Sequence, residues 1–295
     1  MYEVISTSKG QDFNPQYYSN VATNLQVKDA LLLLDLHHFE HHHIVLDLGC
    51  GDGQISVDIA QRLVPKGRVI GVDPSAAMIE HANRSYHEHA NATLITGDAR
   101  TLYEDLKTAN LNDNGVDVIF SNHVLHWIYD DDEHVTAMQH MKKTLSANGG
   151  VLLLCLATEG TFKELFESAY LVAKQAPWCQ YYAEDDLQPR KFPQLGLYQN
   201  TLLGLGFELN VCEKRLSWRE FSNAEAFVLW IKTSLRTFMN KLQHLPDEQQ
   251  RLFAQQVVAQ YVETIKFSDD YPHEQGGADE IFLRDSMIFI YAKLR

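Results

Sequence analysis

Two loops and one aromatic pair carry most of the side chains in this chain that could do chemistry. The stretch VLDLGCGDG (45–53) leaves an apolar run and spaces Asp47, Gly49, Gly51 and Gly53 two apart. Glycines so spaced let a backbone turn through positive φ and approach a ligand closely. The dinucleotide pattern G-x-G-x-x-G fits poorly, because Gln54 holds the sixth position from Gly49 and the third glycine comes one residue early. Asp73, in VIGVDPS, can accept both hydroxyls of a ribose, and Asp98, in TGDAR, can accept from an adenine amino group. Taken singly, each acid reads equally well as a cap or turn residue. His126 and Trp127 follow the apolar run VDVIF. The indole N–H is a donor only, whereas an imidazole can donate or act as a base near pH 7. The plainer alternative is a packing indole beside a turn-capping imidazole.

These residues need strand ends to hold them. The pattern predicts strands near 44–48, 68–72, 92–96, 116–120 and 150–157, alternating with helices, which is the signature of a parallel sheet covered on both faces. Ser75 is the expected N-cap of a helix with Ala76, Met78, Ile79 and Ala82 at helical spacing. After residue 158 the rhythm breaks. There the expectations are a helix at 194–204, a strand at FELNVCEKRLSW, helices at 222–243 and 247–265, and a closing strand at 286–293. Helices between the last strands, with an N-terminal helical segment, are placed to form a lid over the strands' C-terminal edge. The reading is one domain over 1–295, with lid segments at about 1–36, 159–193 and 220–278.

Composition narrows the classes. The 295 residues are 45% hydrophobic, enough for a substantial core, and 25 Lys and Arg face 39 Asp and Glu, a formal net charge of −14. That balance and the lack of a basic patch argue against nucleic acid. No apolar stretch suggests secretion or membrane insertion, so a cytoplasmic protein is expected. Four widely spaced cysteines without a CxxC pair fit reduced thiols, and no metal site is expected. The run HHFEHHH (37–43) reads as a solvated turn with adventitious metal affinity at most.

Three strand ends in chain order thus offer a glycine loop, a ribose acceptor and an adenine contact, and with them the chain resembles the class I S-adenosylmethionine-dependent methyltransferases. The resemblance implies a Rossmann-like α/β sheet of seven strands, the last antiparallel, and S-adenosyl-L-methionine as cofactor. It implies cofactor contacts at Tyr18 (with Tyr17 as its rival), Asp47, Gly49, Cys50, Gly51, Asp73, Pro74, Met78, Asp98, Ala99 and Asn122. Met78 would cover the adenine, although core packing explains it equally well. Gln26 resembles the glutamine that pairs with the Trp after the fourth strand in salicylate-type and juvenile-hormone-acid carboxyl methyltransferases. The segment AEAFVLWIKTSLRTFMNKL, followed by YPHEQGG, is similar to the lid of the trans-aconitate methyltransferases, with Trp230, Lys232, Arg236, Tyr271, Pro272 and Gly276 at matching places. Arg236 could pair with a second carboxylate. The chain departs from that group at His126, where Gln is common, and in WCQYYAEDD, so the acceptor stays open.

Methyl transfer is an in-line displacement that asks first for alignment and a dry pocket. A carboxylic acid, with a pKa of about 4, is already ionised at pH 7 and needs donors rather than a base. The expected function is therefore an O-methyltransferase esterifying a small or medium organic acid. Gln26, His126 and Trp127 act at the reacting centre, and Gln26, Trp127, Trp230 and Arg236 hold the acid. Four alternatives stand beside it: a malonyl-carrier-protein methyltransferase of biotin synthesis, an N- or O-methyltransferase using His126 as base, a non-catalytic S-adenosylmethionine-binding protein and, as an outside possibility, an NAD-dependent oxidoreductase.

Overall fold

The computed structural model describes residues 25–111, 114–147, 149–187, 191–266, 271–272 and 280–295, with the side chains of Leu25 and Arg236 left out. Helix α1 (Leu25–Leu34) precedes strands β1 (Ile44–Leu48), β2 (Arg68–Asp73), β3 (Ala92–Thr96), β4 (Val118–Asn122) and β5 (Val151–Ala157). Between them lie α2 (Gln54–Arg62), α3 (Ala76–Ser85), α4 (Leu102–Thr108) and α5 (Asp131–Thr144). The strands are short continuous aliphatic runs, buried on both faces in β1, β2, β4 and β5. That suits a parallel sheet covered by helices better than the alternation of a half-exposed one.

The seven strands lie in the order β3-β2-β1-β4-β5-β7-β6, with β6 at Phe207–Phe221 and β7 at Ile281–Leu294. Val45 of β1 stands opposite both Val69 and Val118 in parallel register. Strand β7 runs antiparallel to β5, since Leu294 N donates to Gly150 O and Thr158 N to Ser286 O, each at 2.9 Å. The expected architecture is present. Ser75 caps α3 by accepting from Met78 N at 3.3 Å. Asp130 caps α5 by accepting from Asp132 N and Glu133 N, and the acids that follow favour that helix N-terminus.

The described residues gather into two compact units, one drawn from Met1–Leu156, Gln194–Glu213 and Ile288–Arg295, the other from Ala157–Pro193 and Lys214–Met287. The first unit's core packs Leu46, Ile70, Ile119, Leu152 and Leu154 of the sheet with Leu102, Met138 and Met141 of the helices, and with Tyr198 and Leu202 of α7 (Leu195–Gly204). The second unit is an aromatic helical body. It contains α6 (Lys163–Ala173), α8 (Ala224–Ser234), α9 (Arg236–Leu242) and α10 (Asp247–Ile265), with Trp178, Phe227, Phe238, Phe253 and Tyr261 fully buried.

Several boundaries differ from expectation. The single helix expected at 222–243 is two, broken at Leu235 with φ −83° and ψ 56°. No Gly or Pro marks the break; Leu235, Phe238 and Met239 are buried together, so packing rather than local propensity sets it. Strand β4 begins at Val118 and ends at Asn122, because Val116 forms only an isolated bridge to Leu145. Strand β7 starts at Ile281, five residues earlier than expected, and Asp98 lies two residues past β3 rather than at its end. No described helix is long and apolar enough to cross a membrane.

Candidate active site

The chain leaves β1 and turns through the glycine loop into α2. Gly49 lies at φ +82° and Gly51 at φ +56°, conformations that L side chains rarely adopt. A Cβ on Gly49 would stand 2.0 Å from Val124 Cγ2, so only glycine lets the loop close there. Among the described residues, a Cβ on Gly51 would meet only Met78 Cε, at 3.8 Å, so this position borders open room there. Main-chain bonds fix the loop: Gly49 N and Cys50 N donate to Val72 O at 2.6 and 3.1 Å, and Gly53 N to Cys50 O at 3.0 Å. Asp73 ends β2 and accepts from Gly51 N at 3.0 Å through Oδ2 and from Ser75 N at 2.8 Å through Oδ1. Two oxygens offer about four acceptor positions, which leaves Asp73 capacity for hydroxyl donors.

The other acids behave differently. Asp47 is buried, and its carboxyl is pushed up to about 7 by burial; the Ser56 hydroxyl, donating at 2.6 Å, opposes this, and Asp73 and Asp52 add to it. Burial, helped by Asp47 and Asp73, also pushes the Cys50 thiol up, so Cys50 is protonated and packs with Ile79, Ala82 and Leu94. Asp98 grips a guanidinium: Arg100 Nε and Nη2 donate to its two oxygens at 2.8 and 2.7 Å. Those bonds hold the Asp98 carboxyl below its ordinary range. Any adenine contact must therefore use acceptor capacity that Arg100 leaves. Pro74 is exposed, Met78 is 39% exposed on α3, and Ala99 is buried.

At the C-terminal end of β4 the site is built from side chains. Asn122 Nδ2 donates to the carbonyl of Gln26 at 2.7 Å, while its Oδ1 is buried without a hydrogen-bond partner among the described residues. Gln26 lies in the first turn of α1 with an exposed side chain. Leu125, His126 and Trp127 form one 3-10 turn in which Leu125 is buried, His126 is 8% exposed and Trp127 is 48% exposed. The rings of His126 and Trp127 lie 5.5 Å apart at 36°. The structure thus brings Asn122, His126 and Trp127 to one strand end and ties α1 to it. Sequence reasoning missed Asp29 and His123, which form a part-buried hydrogen-bonded pair, Nε2 to Oδ2 at 2.7 Å. The one signal available was position, since His123 directly follows Asn122.

Tyr18, Tyr17 and Gly276 lie outside the described residues. Trp230 and Arg236 belong to the second unit. Trp230 is half-buried there among Phe162, Phe221 and Phe227, and the Arg219 guanidinium carbon lies 4.9 Å from its ring centroid. Arg236 opens α9. Of the histidine run, His38, His41 and His42 are exposed. His37 and His43 line a cavity of about 250 Å³ with Asp117, Ser146, Tyr291 and Lys293, at the edge where the strands begin. Burial first, then His43, His38 and Lys293, lower His37 to about 4, so it is neutral at pH 7.

A seven-stranded sheet with its last strand reversed, a glycine loop after β1 and an acid ending β2 make a Rossmann-like α/β scaffold. The methyltransferase-domain family matches residues 45–149, from β1 to the loop before β5. The chain is 25% identical to the trans-aconitate 2-methyltransferase of Shigella dysenteriae serotype 1 (strain Sd197) over 283 residues, covering 96% of this chain and 98% of that enzyme. It is 26% identical over the same shares to the enzyme of that name in Escherichia coli O157:H7. Its fold is similar to that of the YcgJ protein from Bacillus subtilis, with TM-score 0.57 and 18% identity over 91% of this chain and 99% of that one. The chain carries a methyltransferase domain on a Rossmann-like sheet and is an S-adenosyl-L-methionine-dependent methyltransferase. Among the described residues the site fits that cofactor: the room at Gly51 would admit its methionine part, and Asn122 Oδ1, without a partner there, suits an ammonium donor.

Proposed function

We propose that the chain transfers a methyl group to the carboxylate of a small or medium organic acid, giving a methyl ester. The observation that carries this reading is the similarity to trans-aconitate 2-methyltransferases across 96% of the chain, which takes in both units and not only the cofactor-binding residues. The bound cofactor supplies a methyl group activated by its sulfonium. A carboxylate acceptor is ionised at pH 7, so no residue of the chain would have to remove a proton from it for a methyl ester to form. The chain's part is to hold the acid and exclude water. Trp127 offers a donor-only N–H and His126 a buried ring N–H, and the Gln26 side chain adds a third donor. Asn122 and the glycine loop hold the methionine end, with Asp73 on the ribose and Asp98 beside the adenine. Trp230 and Arg236, in the second unit, are the candidates for recognising the rest of the acid.

The test is transfer of labelled methyl from S-adenosylmethionine to a panel of small acids, amines and phenols, with base lability of the product recorded. Base-labile label on an acid is expected, and His126→Gln should keep that activity. Stable label on amines or phenols, abolished by His126→Gln, would instead make His126 a general base. Label on a malonyl-carrier protein alone would move the acceptor to a carrier.

A further inference from the structure

We infer that the hydrogen-bonded Asp29–His123 pair is a latch that positions Asn122 for the methionine end of the cofactor. His123 is one of three described non-glycine residues with positive φ, at +59°. Such a backbone is held only where the surroundings over-determine it. Two bonds do so here: His123 N donates to Cys155 O at 2.8 Å, and the ring reaches Asp29 on α1 at 2.7 Å. The side chains of the pair are 10% and 8% exposed. Burying polar groups costs solvation that an apolar pair would not, so the pair's presence is better explained by the geometry it enforces than by stability.

That geometry falls on the residues either side. Asn122 turns toward α1, spends its Nδ2 on Gln26 O, and keeps Oδ1 buried and unpartnered among the described residues. Val124 comes down over Gly49, where it fills the space a Cβ would need. The rest of α1 is held by apolar packing: Ala30, Leu31 and Leu34 line a crevice with Ile55, Ile59 and Leu63 of the α2 region. The latch therefore governs the first turns of α1, where Gln26 sits, more than the docking of the helix. Cys155 Sγ lies within 4.8 Å of both partners, which raises a metal as a rival. Ligands on a tetrahedral ion at about 2.0 Å stand roughly 3.3 Å apart, and the 2.7 Å contact is a direct hydrogen bond instead.

This inference rests on the placement of Asn122 at the cofactor. The experiment is titration calorimetry of S-adenosylhomocysteine with wild type, Asn122→Ala, Asp29→Ala, Asp29→Asn and the Asp29→Ala/Asn122→Ala double variant. Asn122→Ala and Asp29→Ala should each weaken binding about fivefold to tenfold. The double variant should be no weaker than either single, because the latch acts through Asn122. Asp29→Asn, which keeps an acceptor, should restore most of the affinity. Multiplying effects in the double variant, or wild-type binding by Asp29→Ala beside weakened Asn122→Ala, would overturn the latch alone. Wild-type binding by Asn122→Ala would overturn the placement of Asn122 and the latch with it. Should Asp29→Ala fail to fold, His123→Asn takes its place in the cycle, since Asn accepts positive φ.

Discussion

The glycine loop and the end of β4 do neighbouring jobs with different materials. The loop is main chain: amides of Gly49, Cys50 and Gly53 bond to carbonyls, and Gly51 bonds to the carboxylate of Asp73. The β4 end is side chain: Asn122 on a helix carbonyl, His123 on Asp29, and His126 beside a half-exposed Trp127. A surface of amides and absent side chains suits a ligand that never changes. A surface of rings and amides can be altered one residue at a time, which is what a changing acceptor demands. Cofactor defects should therefore follow backbone damage in the loop and loss of the Asn122 amide, whereas changes at Trp127 should touch the acceptor and spare the cofactor.

The largest effect should come from Gly49→Ala. It places a Cβ at φ +82° and 2.0 Å from Val124 Cγ2, two separate faults each costing roughly 1 to 3 kcal/mol. We expect at least about a hundredfold loss of S-adenosylhomocysteine affinity by calorimetry. Adding Val124→Ala removes the clash but not the backbone strain, so it should recover part of the loss. Full recovery would mean that the loop's backbone conformation does not matter, and the comparison would break.

The same contrast explains what could be read in the chain. The loop was legible because glycine spacing is a backbone instruction, and β1 and β3 begin and end where their aliphatic runs do. Asp73 was legible for the same reason, as it closes a strand. The partner of Asp98 was not: Arg100 is two residues away, but only the folded turn brings both its nitrogens onto the carboxylate. Nor was the Asp29–His123 pair, whose members are 94 residues apart and join only when α1 meets β4. The break at Leu235 was hidden because the apolar spacing of Phe227, Ile231, Leu235 and Phe238 continues straight through it.

Asp47 tests the loop from the side-chain end. Its carboxyl is held at about 7 when folded against 3.8 when exposed, mainly by burial, so the folded state keeps a proton that the unfolded state has lost. The folded state then binds more protons between those values, and stability falls as pH rises from about 4 through about 7. Asp47→Asn keeps an acceptor for Ser56 and removes the charge. It should flatten that fall and raise stability above pH 7 by an amount on the order of 2 to 4 kcal/mol, read as chemical denaturation midpoints at pH 5 and pH 8. An unchanged slope would mean that Asp47 is ionised in the folded loop.

The smallest effect separates the two regions most sharply. Trp127→Phe keeps an aromatic ring on the 3-10 turn and removes only the indole N–H, a donor whose loss costs about tenfold when it serves a charged oxygen. We expect kcat/KM for the acid to fall by about that factor, while S-adenosylhomocysteine binds as in the wild type. A matching fall in cofactor affinity would show that Trp127 supports the cofactor as well, and the division between main-chain and side-chain halves would fail there. Wild-type transfer by the Phe variant would leave Trp127 as a hydrophobic wall, and the donors for the carboxylate would then have to come from Gln26 and His126.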